Sequence, residues 1–231
     1  TFCAATESWP SYEAKVAAEG AVVEELLREP NLKSPSVQLR IGAGGEVEVL
    51  STHDQILGGP QGQVYIGCRF PAEPDYRAAI VAEARRVGEV LAGEGVLGSF
   101  GIDWLVTPAG DVYLSEINLR MGGTTHPYWM ARLAAGSSYD PVANELVGPT
   151  ICYTATDNIK LAQLVGSTPA EVIRLVDDAG LAFDPSTGTG VTLHLLGAVH
   201  GYGKLGATCI AGSPEAAGGL YVELVGRLTA G

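Results

Sequence analysis

Between Gly98 and Arg120 the sequence reads GSFGIDWLVTPAGDVYLSEINLR, two apolar segments joined by a tight turn. Each segment carries an acid, Asp103 or Glu116, where the pattern calls for a hydrophobic residue. A turn centred on Ala109 and Gly110 sets these acids directly opposite each other, and alternation puts Asn118 and Arg120 on the same face as Glu116. A register one residue away is also open, because two- and four-residue turns both fit. Like charges opposed across a ladder destabilise it, by about 3 kcal/mol at roughly 5 Å and an effective dielectric near 20. A shared proton, the Arg120 guanidinium or a hard divalent cation would offset that repulsion. Two carboxylates and an amide oxygen suit Mg²⁺, which commonly completes its shell with substrate phosphates. In the MGGTTHP that follows, Gly122 and Gly123 let backbone amides approach an anion closely. The plain alternative is a solvent-facing hairpin whose acids are bathed in water.

Periodicity supplies the elements that must position this hairpin. SYEAKVAAEG predicts a helix and AVVEELL a strand, followed by a Pro-containing connector over REPNLKSP. SVQLRI and EVEVL form a hairpin about the glycines at 42–45, with STHDQIL extending its second strand. VYIGCRFPA reads as a further strand. From Asp75 to Gly95 the residues Ile80, Ala84, Val87 and Leu91 trace one helical stripe. YWMARLAAG is a short helix stopped by Gly136. After Val147 a linker leads to a tail of about 80 residues with α+β character. Its helix start is marked by Thr168, Pro169 and Glu171, a capping box with proline at the first helical position. The strands GVTLHLLGAV and KLGATCIAG and a closing helix over SPEAAGGLYVELVGRL follow.

The composition is that of a soluble globular chain: 231 residues, 46% hydrophobic and 17% charged, with no apolar run of membrane-spanning length. A net charge of −12 with 14 scattered Lys and Arg argues against nucleic acid as a partner. Cys3, Cys68, Cys152 and Cys209 lie far apart, which predicts reduced, mostly buried thiols and a cytoplasmic setting. GYGKLG at 201–206 matches a dinucleotide-binding pattern, but a strand-like stretch follows it and Gly226 stands where the ribose-binding acid belongs.

The acid, turn and E-x-N-x-R of the hairpin resemble the metal-binding hairpin of the ATP-grasp enzymes. SVQLRIGAGGEVEVLSTHDQ is similar to the hairpin that precedes it there, and GAVVEELL to the strand and hinge that meet adenine. STHDQILGGPQGQVYIGCRFPA, EINLRMGGTTHP and the tail from YTATDN to KLGATCIAG resemble the pheganomycin-type peptide ligases, which add a C-terminal domain. The resemblance implies an α+β ATP-grasp fold. Residues 1–30 would be the end of the lid, 31–147 the C-terminal ATP-grasp subdomain with the metal site, and 148–231 the added α+β domain. The N-terminal domain and most of the lid would precede Thr1.

It also implies ATP-dependent amide formation through an acyl-phosphate, with ATP and Mg²⁺ (two ions, Mn²⁺ able to substitute) as cofactors. Asp103, Glu116 and Asn118 would hold metal, and Arg120 would steady the acyl-phosphate oxygens. Glu24, Glu25, Leu26 and Gln55 would line the nucleotide, and Arg69 and the loop Gly122, Gly123, Thr124, Thr125 and His126 the substrate. The partners would be a carboxylate and an amine or peptide, with neither nucleic acid nor membrane; a homodimer stays open. Plain readings stand beside these. Glu24 and Glu25 also fit an exposed strand end, Arg120 a structural partner of Glu116, Arg69 an ordinary ion pair and His126 a turn before Pro127. Asp54 lies near the site by resemblance alone. Tyr128, Trp129 and Tyr139 fit an acyl pocket or a core equally, and His194 fits a core histidine with its hydrogen bonds met. Two other readings of the whole chain are a degenerate ATP-grasp binding module without turnover and an ATP-grasp carboxylase or synthetase.

Overall fold

The computed structural model describes residues 6–59, 62–136, 138–140, 145–147 and 151–230, the two three-residue segments as backbone only. Cys3, the Tyr139 side chain and the linker residues 148–150 lie outside that description. An eight-stranded antiparallel sheet organises the chain in the order β5-β4-β1-β2-β3-β8-β10-β9. Its strands are β1 (Pro35–Ile41), β2 (Val47–Gly58), β3 (Val64–Phe70), β4 (Gly98–Val106), β5 (Val112–Asn118), β8 (Cys152–Lys160), β9 (Gly190–His194) and β10 (Lys204–Ala211). The short pair β6 (Ser138–Asp140) and β7 (Glu145–Val147) stands apart. The helices are α1 (Trp9–Glu19), α2 (Pro74–Gly93), α3 (Thr125–Ala135), α4 (Pro169–Asp178), α5 (Val199–Tyr202) and α6 (Pro214–Ala230). The architecture is α+β. β3 pairs with β8, so the sheet runs without a break from the hairpin into the C-terminal segment.

Alternation divides the sheet into two unlike faces. Val37, Leu39 and Ile41 of β1 and Phe100, Ile102, Trp104 and Val106 of β4 pack beneath Tyr76, Ile80 and Ala84 of α2. The stripe foreseen in α2 is the buried one, with Val87 and Leu91 at its margin. Farther along, Val172 and Val176 of α4 and Leu224 and Leu228 of α6 cover Leu205, Ala207 and Cys209 of β10. The capping box of α4 forms, Thr168 accepting from the Glu171 N–H and Glu171 accepting from the Thr168 N–H. Among the described residues the opposite face is covered only in the middle. There Tyr128 and Ala131 of α3 close over Cys68, Phe70, Tyr153, Ala155 and Ile210. Toward β4 and β5 that face is left open and polar.

Three expectations are corrected. AVVEELL is not a strand: residues 21–27 form no regular element, and Val22 and Val23 are 83% and 95% exposed. An apolar run becomes a strand only where a neighbouring edge accepts its backbone groups, and among the described residues none does. GVTLHLLGAV is a strand only as far as His194; Leu195 turns into the left-handed region at φ 58, and helical turns follow. The α3 helix begins at Thr125, earlier than the apolar stretch suggested. Cys68, Cys152 and Cys209 are buried free thiols. Among the described residues no helix is long and apolar enough to cross a membrane.

His53 of β2 is wholly buried in the α3-facing core. Its Nε2 lies 2.6 Å from the Tyr153 hydroxyl, and its ring packs against Phe70. Burial alone lowers its titration from the ordinary 6.5 to about 3. A depressed value means stability is complete above the unfolded value and is lost as pH falls toward the folded one. The unfolding free energy should therefore decline between about pH 6.5 and pH 3 with a slope approaching about 1.4 kcal/mol per pH unit from this group. Denaturant titrations of wild type and His53→Gln across that range check it: the variant's curve should be flatter, and parallel curves would refute the assignment.

Candidate active site

The β4–β5 hairpin reaches the foreseen pairing by an unforeseen route. Its turn holds three residues, Pro108 to Gly110, closed by Thr107 N–H donating to Asp111 O at 3.0 Å and Gly110 N–H to Thr107 O at 2.9 Å. Gly110 adopts φ 92, which glycine takes without the Cβ penalty. With that turn Val106 faces Val112 and Trp104 faces Leu114, one residue off the expected register. A bulge between Asp103 and Trp104, with Ser115 as the extra residue of β5, restores the offset, so that Asp103 lies opposite Glu116 and Gly101 opposite Asn118.

The polar groups converge on the open face. Asn118 Nδ2 donates to Asp103 Oδ2 at 3.2 Å and to Glu116 Oε2 at 3.1 Å. Arg120 reaches back to Asn118 Oδ1 at 3.2 Å and to the Met121 carbonyl at 3.3 Å. Asp103 is partly buried, and burial raises its titration; Ser36 and Gln55 donate to it and oppose that rise, whereas Glu116 adds to it. Ser34 donates to Gln55 Oε1 at 2.9 Å, which leaves the Gln55 amide N–H to face Asp103.

A cavity of about 220 Å³ opens over this cluster. Asp103, Glu116, Asn118, Arg120, Gln55, Gly122, Gly123 and Thr124 line it, joined by Ser36, Gln38, Tyr65 and Gly101. The expected site residues from the hairpin and the loop thus come together, except for Thr125 and His126. Thr125 opens α3, its hydroxyl accepting from the Gly122 N–H at 3.0 Å, and so fixes the loop from behind. Gly123 is required for space: a Cβ there would fall 2.7 Å from the Tyr65 ring. Glu24 and Glu25 line a second cavity of about 180 Å³ with Leu27, Leu105, Tyr113, Leu114 and Ser115. Its lining continues along the same hairpin from Ser115, next to Glu116 of the first, and sets Leu27, Leu105, Tyr113 and Leu114 against the two glutamates. Leu26 is exposed and lines neither cavity; Gln55 sits with the acids, away from the 24–27 segment.

Arg69 and Asp54 are not brought to the site. They oppose each other across β2 and β3, and Asp54 accepts from the Tyr76 hydroxyl at 2.6 Å and the Glu73 N–H at 2.9 Å. Both therefore belong to the α2 side of the sheet. Tyr128 is a core residue, whereas Trp129 is exposed beneath the Arg132 guanidinium, 4.9 Å from its ring centroid. His194 is not a core histidine with its hydrogen bonds met; its ring stands against His126, and neither nitrogen has a hydrogen bond of ordinary geometry among the described residues. Ser36, Gln38 and Tyr65 were missed. A signal was present in β1, where Ser36 and Gln38 alternate with Val37 and Leu39 and so mark a polar face.

The donor set fits a hard cation. Two carboxylates and an amide share one spot, and turning the Asn118 amide about its last bond would present Oδ1 in place of Nδ2. No three His, Cys, Asp or Glu side chains form a metal cage among the described residues. A cation here would therefore need oxygens from a ligand, as Mg²⁺ on a nucleotide has.

Comparisons with known proteins fit this geometry. The family model described as an ATP-grasp domain matches residues 7–124, just over half of the chain, and the PGM1 C-terminal domain matches residues 171–224. L-propargylglycine–L-glutamate ligase of Streptantibioticus cattleyicolor is 38% identical over 210 residues, 90% of this chain and 43% of that protein. IQ motif-containing protein H of Danio rerio is 30% identical over 101 residues, 44% of this chain and 9% of that protein. The solved ADP complex of N5-carboxyaminoimidazole ribonucleotide synthetase superposes with a TM-score of 0.58 at 15% identity, covering 97% of this chain and 57% of that one. The synthetase from Thermotoga maritima gives a TM-score of 0.55 at 19% identity, covering 89% and 55%. The chain thus spans less than half of the curated ligase and somewhat over half of the solved synthetases, whose low identities speak for the fold alone. With the hairpin, its convergent acids and a family match over half its length, the chain belongs to the ATP-grasp family.

Proposed function

We propose that this chain carries the metal- and phosphate-binding half of an ATP-dependent ligase that forms an amide bond between a carboxylate and an amine. The observation that carries the reading is the meeting of Asp103, Glu116, Asn118 and Arg120 over one cavity. Mg²⁺ would be held by Asp103, Glu116 and the Asn118 amide oxygen, Glu116 bridging if two ions bind, and would neutralise charge on the nucleotide phosphates. Arg120 would orient the oxygens of the acyl-phosphate formed when the carboxylate attacks the terminal phosphate. The Gly122–Gly123 backbone would approach those oxygens closely, so that the protein's part is placement and charge compensation. The shelf of Leu105, Tyr113 and Leu114 beside Glu24 and Glu25 would take the base and ribose.

Amino acids are the substrate class favoured for both partners, because the curated relative is named for L-propargylglycine and L-glutamate. The division into the end of a lid at 1–30, a metal-binding subdomain at 31–147 and an added domain at 148–231 belongs to the same reading, as does a cytoplasmic setting. The PGM1 C-terminal match at 171–224 supports the last of these segments.

Two outcomes check the reading. In thermal unfolding, saturating Mg²⁺–ATP should raise the midpoint of wild type by the linkage expected for a ligand that binds only the folded state, about 2.7 kcal/mol at a hundredfold excess over Kd. Asp103→Asn should be at least as stable without metal, since it removes a buried charge, and should lose that gain; an equal gain in the variant would refute the metal site. In the full-length gene product, ATP, Mg²⁺ and pooled amino acids should yield ADP, phosphate and a mass equal to acid plus amine minus water. Glu116→Gln should cut that yield by a hundredfold or more, and undiminished yield would refute the assignment.

A further inference from the structure

The C-terminal segment places a second cluster beside the loop at Gly122 to Thr124. His126, two residues beyond Thr124 in α3, meets His194 of β9 edge to face, with ring centroids 4.3 Å apart and an interplanar angle of 74°. His194 lies opposite Gly206 of β10, and a Cβ on Gly206 would clash with Cε1 and Nδ1 of the His194 ring. Glycine at 206 thus leaves the space that the His194 ring occupies beside His126. On the other side of Gly206, β8 carries a bulge: Leu205 faces Ile159 and Ala207 faces Thr156, so Asp157 and Asn158 together oppose Gly206. His194, Gly206 and Asp157 form one row across three strands, with His126 above it. Leu195, which follows His194, holds φ 58, a backbone state a bulky residue adopts only under constraint.

The Nε2 of His126 and both ring nitrogens of His194 are buried without a hydrogen bond of ordinary geometry among the described residues. Buried polar atoms left in that state call for a ligand or a function. The two histidines differ in charge environment. Both are pushed by burial toward the neutral form, but Asp157 favours the charged form of His126, whereas His126 itself further disfavours charge on His194. For His194 the push reaches about 4 despite an opposing contribution from the Ala207 backbone. One neutral imidazole therefore has an acid placed to stabilise its protonated form, and the other does not.

We infer that His126, His194 and Asp157 form the acceptor subsite, which takes the amine substrate as its ammonium and removes the proton it must lose before attack. The inference rests on the ligase reading above. An ammonium is not a nucleophile; one N–H bond breaks and its proton passes to His126, whose imidazolium Asp157 stabilises. The freed nitrogen pair then forms the C–N bond, the acyl C–O bond breaks and phosphate leaves with the electrons. A second proton departs from nitrogen to the phosphate. His126 is the catalytic residue of the subsite; His194 is a positioning residue that holds the His126 ring.

Hydroxylamine separates this role from the first half-reaction, because it is a free nucleophile at neutral pH and captures an acyl-phosphate without a base. With the full-length gene product, Mg²⁺, ATP and pooled amino acids, hydroxamate and amide are measured side by side in wild type, His126→Gln and Asp157→Asn. General-base removal costs about a hundredfold or more. His126→Gln should therefore lose amide formation by that factor and keep hydroxamate formation within about twofold, and Asp157→Asn should show the same split more weakly. Amide formation by His126→Gln should also rise about tenfold per unit from pH 7 to pH 9, as solvent deprotonates the amine, where wild type levels off; His194 and Asp157 are the titratable groups facing the ring. An equal fall in both products, or unchanged amide formation, overturns the subsite. Wild type that makes neither product overturns the ligase reading instead, and the subsite with it.

Discussion

Two carboxylates held across one antiparallel ladder, Asp103 on β4 and Glu116 on β5, set the terms for much of the surrounding structure. Opposed acids are unfavourable in a sheet unless something intervenes. Here the Asn118 amide lies between them, Arg120 stands behind that amide, and Ser36 and Gln55 donate to Asp103 from the neighbouring strands. Ser36, Gln55 and Asn118 each come from a position of correct parity on their strands, and Arg120 follows just past the end of β5. The site thus depends on the sheet's register over four adjacent strands, and the bulge at Ser115 is what delivers that register from a three-residue turn.

The same parity explains how one sheet supports a core on one face and an open polar surface on the other. Beneath α2 the alternate residues of β1 and β4 are uniformly apolar and wholly buried, which anchors the hairpin through its rear face. The front face is paved only where α3 lies on it, around Phe70, Tyr128 and Tyr153. Between α3 and the hairpin the glycines 122 and 123 keep the floor low, and Tyr65 fills the space a side chain at 123 would take. The polar cavity lies where packing stops.

Pairing of β3 with β8 extends that logic into the C-terminal segment. Because the sheet is continuous, β8 and β9 present Asp157 and His194 on the same front face as the acids, with α3 reaching across from the loop to supply His126. Three local devices serve this meeting: a bulge in β8, a glycine in β10 and a left-handed residue after β9.

Much of the site was legible in the sequence. Asp103, Glu116, Asn118 and Arg120 could be read from alternation, since side chains two residues apart share a face whatever the rest of the chain does. The α2 stripe and the α4 cap were legible because helix periodicity and capping are local chemistry. Other features are decided by distant partners. AVVEELL has strand composition, yet no edge receives it; Arg69 has the charge for a substrate, yet its parity turns it to the α2 side. The turn's length was open, and the bulge that corrected it shows in no residue type. Above all, His126 and His194 stand 68 residues apart, and only the pairing of β9 with β10, and the space left by Gly206, brings their rings together. Local pattern determines which face a residue takes; the tertiary structure decides what that face meets.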